Sequence, residues 1–395
     1  MATNQMTGRG NLRAAWAPKI AGGVRRLSAA LFLGLVLSGC VGATLVEDGE
    51  TEGPYRKKWV LHTDQVVTSL AFSPDGRVLA TAGHGRSNVQ LWNLKEGRLI
   101  REMKTPYRAS ELFSFTPDGS SLLTFPVGGK PRAPAVAYGF SLVDIATDRV
   151  RDIESPYGTM AEAVALSPKG DVAIALYAPW EKGRIAVYDT NSWEIIRQFA
   201  PERRIASTIA ISPDGIHLAV AKYQGGVQIW DYRKGELVRE FRVHTDNLAS
   251  LAFNPNGQLL ATGGTFGTAI FDPNTKQKID LIDDDLVRIW RVEDGKKHTS
   301  FIFISPPYKS SVRSVNFSPF GTLLAAGTGG VITMFPVDET NDKQPISFGP
   351  SDGFDYWAGP TGFGADGRYF AAAGVSRGTR DNRIIVWERF KELKY

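Results

Sequence analysis

One short pattern constrains this chain more than any other: Phe72-Ser73-Pro74-Asp75-Gly76, a turn signal set between two apolar runs. Val66-Val67-Thr68-Ser69-Leu70-Ala71 precedes it and Arg77-Val78-Leu79-Ala80-Thr81 follows. Pro74 presets φ for the second position of a type I turn, Asp75 tolerates the third, and Gly76 accepts a positive φ. Flanked this way, the turn predicts a tight β-hairpin. A lone hairpin is marginal in water, so the chain must supply more strands.

It does so by repetition. The turn returns as Thr116-Pro117-Asp118-Gly119, Ser167-Pro168-Lys169-Gly170 and Ser212-Pro213-Asp214-Gly215. It recurs as Asn254-Pro255-Asn256-Gly257, Ser318-Pro319-Phe320-Gly321 and, degraded, Gly364-Ala365-Asp366-Gly367. Downstream of each turn a β-rich run ends in an aromatic slot, as in Val89-Gln90-Leu91-Trp92-Asn93, Val227-Gln228-Ile229-Trp230-Asp231 and Ile384-Ile385-Val386-Trp387-Glu388. In the second repeat Val143-Asp144 takes that slot. A further turn and strand follow, as in Lys95-Glu96-Gly97-Arg98-Leu99-Ile100. Each repeat therefore reads as four short antiparallel strands. Such a unit cannot bury both faces alone, whereas a radial ring lets neighbouring sheets cover each other.

On these turns and aromatic slots the chain resembles the WD40-repeat family of β-propellers, over roughly residues 56–390. The resemblance implies an all-β, seven-bladed propeller with four antiparallel strands per blade, spanning 55–395. It also implies that the last blade is closed by the N-terminal strand, 56–61 pairing with 383–388. His244, Thr262, Asp285 and Trp290 match the family's structural hydrogen-bonding tetrad, while repeat one has Ser87 where the Asp belongs. Repeat five is long. We place an inserted hairpin at 265–284, between its second and third strands; Gly267–Asp272 as the third strand is the other assignment. The degraded turn lies in the blade that borrows its outer strand, which makes that blade the expected place for the ring to open first.

The formal charge of +5 would suit a polyanion-binding protein, but its location argues otherwise. Residues 1–39 hold Arg9, Arg13, Lys19, Arg25 and Arg26 and no acid. Taking those five from the 46 Lys and Arg leaves 41, equal to the 41 Asp and Glu. The body is neutral, and nucleic acid is not an expected partner. Residues 1–39 read as a secretory leader: a basic stretch ending in Arg25-Arg26, then the apolar run Leu27–Leu37. That run is too short to span a bilayer, which takes about 20 residues. Leu37-Ser38-Gly39-Cys40 resembles the lipobox of bacterial lipoproteins, and Cys40 is the only cysteine. The resemblance implies cleavage before Cys40 and acylation of its thiol and new amine, enough to anchor a protein stably. Val41, not Asp, follows the cysteine, which points to the outer membrane. Residues 40–54, acidic and Gly-rich beyond Val46, read as a lipidated, solvated tether.

Motifs for chemistry are weak. Gly349-Pro350-Ser351-Asp352-Gly353 fits G-x-S-x-G but has no following helix. Gly362-Phe363-Gly364-Ala365-Asp366-Gly367 fits G-x-G-x-x-G, yet it opens a strand. Asp280, Asp283, Asp284 and Asp285 lack Ca²⁺-loop spacing, and the five histidines lack metal-ligand spacing. No cofactor or metal is expected. Loop aromatics are more suggestive: Tyr107, Tyr157, Tyr308, Tyr356 and Trp357 precede the first strands of four repeats. Tyr and Trp make interface hot spots, so these are candidate partner-binding residues. Tyr157 and Tyr308 also stand where the tetrad histidine would, with their hydroxyls then bonded inside. The expected function is a membrane-tethered, non-catalytic, periplasm-facing scaffold of the bacterial cell envelope, a monomeric propeller within a protein complex. The alternative is a periplasmic enzyme or small-ligand binder using the central channel.

Overall fold

The computed structural model describes residues 42–45, 51–84, 88–104, 114–124, 139–159, 161–177, 183–201, 205–223, 225–244, 248–264, 269–271, 278–281, 287–301, 312–328, 331–337, 345–348, 357–375 and 382–390. All of them fall in the second of two compact units, Gly39–Tyr395. Every regular element among them is a strand.

Three strands precede the first full repeat: β1 (Gly42–Leu45), β2 (Thr51–Glu52) and β3 (Tyr55–Thr63). Blade 1 is β4 (Val66–Phe72), β5 (Val78–His84), β6 (Asn88–Asn93) and β7 (Arg98–Lys104). Blade 2 is β8 (Ser114–Phe115), β9 (Ser121–Thr124), β10 (Gly139–Asp144) and β11 (Val150–Glu154). Blade 3 is β12 (Ala161–Leu166), β13 (Val172–Tyr177), β14 (Arg184–Asp189) and β15 (Ile195–Phe199). Blade 4 is β16 (Ile205–Ile211), β17 (His217–Lys222), β18 (Gly226–Asp231) and β19 (Glu236–Arg242). Blade 5 is β20 (Leu248–Phe253), β21 (Leu259–Gly264), β24 (Val287–Arg291) and β25 (Lys297–Phe301), with β22 (Ala269–Phe271) and β23 (Lys278–Leu281) paired as a separate hairpin. Blade 6 is β26 (Ser314–Phe317), β27 (Leu323–Gly327), β28 (Ile332–Pro336) and β29 (Ile346–Phe348). Blade 7 is β30 (Trp357–Phe363), β31 (Tyr369–Val375) and β32 (Asn382–Arg389), completed by β3.

The result is a seven-bladed β-propeller. Inner strands of neighbouring blades lie side by side from blade 3 through blades 7 and 1 to blade 2, and β30 meets β4 to close the ring. The N-terminal strand closes the last blade: β3 pairs antiparallel with β32 from Tyr55↔Arg389 to Thr63↔Asn382. In blade 5, β21 pairs directly with β24, so Val287–Arg291 rather than Ala269–Phe271 is the third strand.

One expectation changes. Part of the anticipated tether is folded: β1 pairs antiparallel with β3, from Gly42↔His62 to Leu45↔Trp59. The reason is the ladder itself. Once β3 has paired with β32, its other edge still presents N–H and C=O groups, and a short uncharged segment nearby can satisfy them.

The repeated turns are built alike. Their glycines, from Gly76 to Gly367, all take φ between 66° and 74°, where a Cβ would be strained. Each donates its N–H back to the first turn residue, as Gly76 does to the Ser73 carbonyl at 2.8 Å. Ser73 Oγ also donates to Asp75 Oδ1 (2.6 Å) and accepts the N–H of Val78 (2.9 Å), tying the turn to its second strand.

The core lies between blades. Buried apolar side chains form clusters, each drawn mainly from two neighbouring blades, at every junction around the ring. Trp92 and Trp387 are wholly buried in two of them. Burying roughly 200 Å² of indole is worth about 5 kcal/mol of transfer free energy. The repeated aromatic is therefore the mortar between sheets.

Candidate functional site

Among the described residues, the axis and the outer rim both present side chains that another molecule can meet. The axis holds a cavity of about 450 Å³ walled by inner strands of the blades. Its lining includes Ser69, Thr208, Ser250 and Ser314, each four residues before the first turn residue of its own blade. Repetition therefore stacks hydroxyls in a partial ring. Ser114, Asn316, Thr361 and Arg313 add further polar groups, and Arg313 is the one charged residue among the described lining residues.

The side chains near blade 6 are tightly organised. Ser250 Oγ accepts the N–H of Val315 (3.0 Å). Ser314 Oγ and Thr361 Oγ1 share a hydrogen bond of 3.0 Å. Asn316 Nδ2 donates to the Thr361 carbonyl (2.9 Å) and to its hydroxyl oxygen (3.1 Å). These bonds cross from blade 5 to blade 6 and from blade 6 to blade 7. The Arg313 N–H donates to the Gly327 carbonyl (2.9 Å), fixing the backbone that carries the exposed guanidinium.

The outer rim shows a second repeat. In blades 1, 3 and 4 the outer strand carries one extra residue opposite the third strand, Ile100, Ile196 and Val238, as do blade 5 at His298 and blade 7, on β3, at Lys58. A bulge makes an edge strand a poor template for further pairing. Here it also turns an apolar side chain outward; Ile196 is 56% and Val238 50% exposed, with Leu237 beside it at 45%. The residue after the bulge ties its blade to the next. Trp59 Nε1 donates to the Leu94 carbonyl (3.0 Å), Arg101 Nη1 to that of Ile145 (3.0 Å) and Arg197 Nη1 to that of Lys234 (3.1 Å). In blade 2, where β11 has no bulge, Arg151 Nη2 donates to the Ser192 carbonyl (3.2 Å). Basic residues at one place in successive outer strands, Arg101, Arg151 and Arg197, are the signal that could have revealed this rim.

Of the tetrad residues, three come together. His244 Nε2 and Thr262 Oγ1 share a hydrogen bond (2.8 Å), and Trp290 Nε1 donates to Thr262 Oγ1 (3.1 Å). Asp285 lies outside the described residues. Blade 1 keeps the core of the arrangement, with Trp92 Nε1 donating to Thr81 Oγ1 (3.0 Å). Blade 3 replaces it with tyrosines: the hydroxyls of Tyr177 and Tyr188 meet at 2.7 Å. Burial holds both phenols above their ordinary pKa, so the pair stays neutral.

Tyr157 packs edge-on against Tyr177 with ring centroids 5.4 Å apart. The Arg184 guanidinium lies 4.9 Å over its ring. Its hydroxyl donates to Gln198 Oε1 (3.0 Å) on β15, the outer strand of the same blade, in a bond at the surface. Tyr107, Tyr308 and Tyr356 lie outside the described residues, as do Cys40 and Gly349–Gly353. The backbone of Trp357 begins β30, and its side chain is not described. The glycines of 362–367 join β30 to β31 as a hairpin, with no helix to receive a phosphate. Among the described residues no three His, Cys, Asp or Glu gather as metal ligands.

Fold and repeat together support a WD40-type β-propeller. The WD domain, G-beta repeat family matches residues 54–93, 235–291 and 300–335. Each match ends at a third strand, so the sequence repeat begins on the outer strand of the preceding blade; this offset is what the β3 closure expresses. Among similar proteins, an uncharacterized WD repeat-containing protein of Synechocystis is 34% identical over 67 residues, 17% of this chain and 19% of that one. Another, of Deinococcus radiodurans, is 38% identical over 85 residues, 20% of this chain and 32% of that one. A component of chromatin assembly factor 1 from Gallus gallus is 28% identical over 131 residues, 28% of this chain and 22% of that one. The chain thus spans under a third of the length of each relative.

Proposed function

We propose that this protein is a lipid-anchored, non-catalytic interaction scaffold of the bacterial cell envelope, facing the periplasm. The observation that carries it is the line of outward apolar residues on the rim of blades 3 and 4: Ile196, Leu237 and Val238. The two outer strands are locked side by side by the bond from Arg197 to the Lys234 carbonyl. Rigid, neighbouring, exposed aliphatic groups suit a protein partner that buries them. The disc is a monomer within its complex. Its neutral body gives no reason to expect nucleic acid.

The anchor is supported by sequence: Leu37-Ser38-Gly39-Cys40 has lipoprotein character, and Val41 after the cysteine favours the outer membrane. Because β1 starts at Gly42, an acylated Cys40 would stand only two residues from the sheet, a reach of about 7 Å. Blade 7 would then ride close to the lipid surface.

Membrane fractionation tests the anchor. Cys40→Ser is expected to move the protein into the soluble fraction; retention in membranes would overturn it. A photo-crosslinker at position 196 or 238 tests the rim. The expected result is a discrete protein adduct in intact cells that Leu237→Glu abolishes. Adducts indifferent to that charge, or none, would remove the rim from the proposal.

A further inference from the structure

We propose that the outer edge of β11, in blade 2, docks an extended basic segment of a partner protein as a fifth strand. The other outer strands are spoiled for this purpose. Those of blades 1, 3, 4, 5 and 7 carry a bulge, and blade 6 ends in the short β29, Ile346–Phe348. By contrast β11 pairs with β10 without interruption, from Gly139↔Glu154 to Val143↔Val150. The Asp144 N–H donates to the Arg149 carbonyl (2.9 Å), which sets the alternation of the ladder. Arg149, Arg151 and Ile153 turn their backbone groups toward β10, and Val150, Asp152 and Glu154 turn theirs outward. Among the described residues no strand pairs with that outward edge.

Blade 7 shows that an outer edge of this propeller accepts a further strand. There β1 pairs with β3 from Gly42↔His62 to Leu45↔Trp59, and β2 pairs with it at Arg56 and Tyr55. Lys58, the bulged residue, lies between the two pairings, and neither crosses it. An unbulged stretch is therefore what an added strand needs, and β11 offers one. The edge is also held rigid from both sides. Arg101 of blade 1 pairs with Asp148 at its start, and Arg151 donates to the Ser192 carbonyl of blade 3 (3.2 Å). An edge fixed in advance lowers the ordering cost of docking.

Side chains choose the occupant. On one face of β11, Ile153 is buried and Arg151 is tied to blade 3. The other face carries Val150, 43% exposed, with Asp152 and Glu154. Asp152 accepts the Ser141 hydroxyl, and among the described residues no cation pairs with either carboxylate. A strand with basic residues at alternate positions sets them against these two acids. A second copy fits poorly, because two-fold pairing about the middle of β11 opposes Asp152 to Asp152 or Arg151 to Arg151. Main-chain bonds then supply affinity and the alternate charges supply choice. This adds a docking mode to the scaffold proposed above but uses neither its anchor nor the rim of blades 3 and 4, so each can fail alone.

Fluorescence anisotropy tests the edge with the full-length protein and a labelled, end-capped heptapeptide of alternating lysine and valine. Saturable binding is expected, and the amides of Val150, Asp152 and Glu154 should gain protection in hydrogen exchange. Lysines opposite Asp152 and Glu154 carry the backbone groups that face β11. The peptide N-methylated at its lysine backbone nitrogens keeps its charge, loses those donors and should bind at least about tenfold more weakly. Glu154→Lys should weaken binding about threefold at an unchanged melting temperature. Asp152→Pro deletes an outward N–H and should abolish binding; if that variant fails to fold, the methylated peptide carries the readout on the unaltered protein. No saturable binding up to about 1 mM overturns the proposal. So does equal binding of the methylated peptide, or protection confined to another blade. Self-association that Asp152→Pro abolishes, without peptide binding, would make the occupant a second copy and overturn it too.

Discussion

The indole N–H of Trp59 donates to the carbonyl of Leu94 at 3.0 Å, joining the strand that closes blade 7 to the third turn of blade 1. Closure is therefore a bond across the first junction as well as a ladder with β32. Trp59→Phe should keep the ring and lose the donor, costing about 1 kcal/mol. Deleting 54–61 strips β32 of its partner and should lower the melting temperature markedly. Scanning calorimetry checks both, and an unchanged transition after the deletion would sink the closure account.

Gly97 lies under the same indole. Its φ is +65°, and a Cβ placed there would sit 2.3 Å from the Trp59 ring. Gly97→Ala should cost about 1–3 kcal/mol, from backbone strain and from the clash. The two causes separate in a double-mutant cycle. In a Trp59→Ala background the clash vanishes and only the φ penalty stays, so the cost should fall by roughly half. Strict additivity in urea unfolding would show that the ring yields freely.

The turns were legible because glycine at positive φ is a local demand that each copy must meet, whatever its neighbours do. Closure was legible because Tyr55–Thr63 is a strand with no repeat of its own. The rim was not. Ile100, Ile196 and Val238 are bulged only relative to their partners, and register across strands is invisible in a single run of residues. The axial hydroxyls were hidden for a different reason. Ser69, Thr208, Ser250 and Ser314 do recur at one spacing, but a lone Ser or Thr in a strand carries no chemical signature until the ring brings several together. Tyr157 packs its ring on Tyr177 and under Arg184, and its hydroxyl bonds Gln198 of β15 at the surface. Residues 42–45 carry no strand period, and only the vacant edge of β3 explains their pairing.

The shared acceptor Thr262 gives a contrast between blades. It is fully buried and takes the Trp290 N–H while bonded to His244. Thr262→Val removes the oxygen at nearly constant volume and should cost about 2–4 kcal/mol, because two buried ring groups lose a partner. Thr81→Val in blade 1 affects Trp92 and should cost about 1–2 kcal/mol. Equal effects in chemical denaturation would argue that His244 contributes nothing to this bond.

Acid should loosen the turns. Asp75 is held below the ordinary carboxylate pKa first by the Ser73 hydroxyl and then by the Arg77 N–H. The Thr116 hydroxyl and the Ser120 N–H do the same for Asp118. A depressed folded pKa means stability that is complete above the unfolded value of about 4 and lost as pH falls through the folded value. Both carboxylates are largely exposed, so the loss should be shallow. An Asp75→Asn, Asp118→Asn double variant should flatten the decline in melting temperature between about pH 5 and pH 2.5. A decline as steep as in the unaltered protein would assign it to other groups.

The degraded seventh turn is braced from outside. Gly364 has no hydroxyl to offer where Ser73 has one, but the Tyr55 hydroxyl donates to the Gly367 carbonyl at 3.2 Å. Tyr55 is buried among side chains of blades 6 and 7. Nearby, Glu388 of β32 is bonded by Lys58 (2.8 Å) and by Arg368 (2.9 Å). Despite the opposing effect of burial, these two cations hold its carboxyl below the ordinary value. The N-terminal strand thus supplies what the turn lacks, and blade 7 should not be the first to open. In hydrogen exchange, amides of β31 and β32 should be protected about as well as those of β5 and β6. Tyr55→Phe should speed exchange around 364–370 while leaving blade 4 unchanged. If blade 7 exchanges first in the unaltered protein, the brace is too weak to matter.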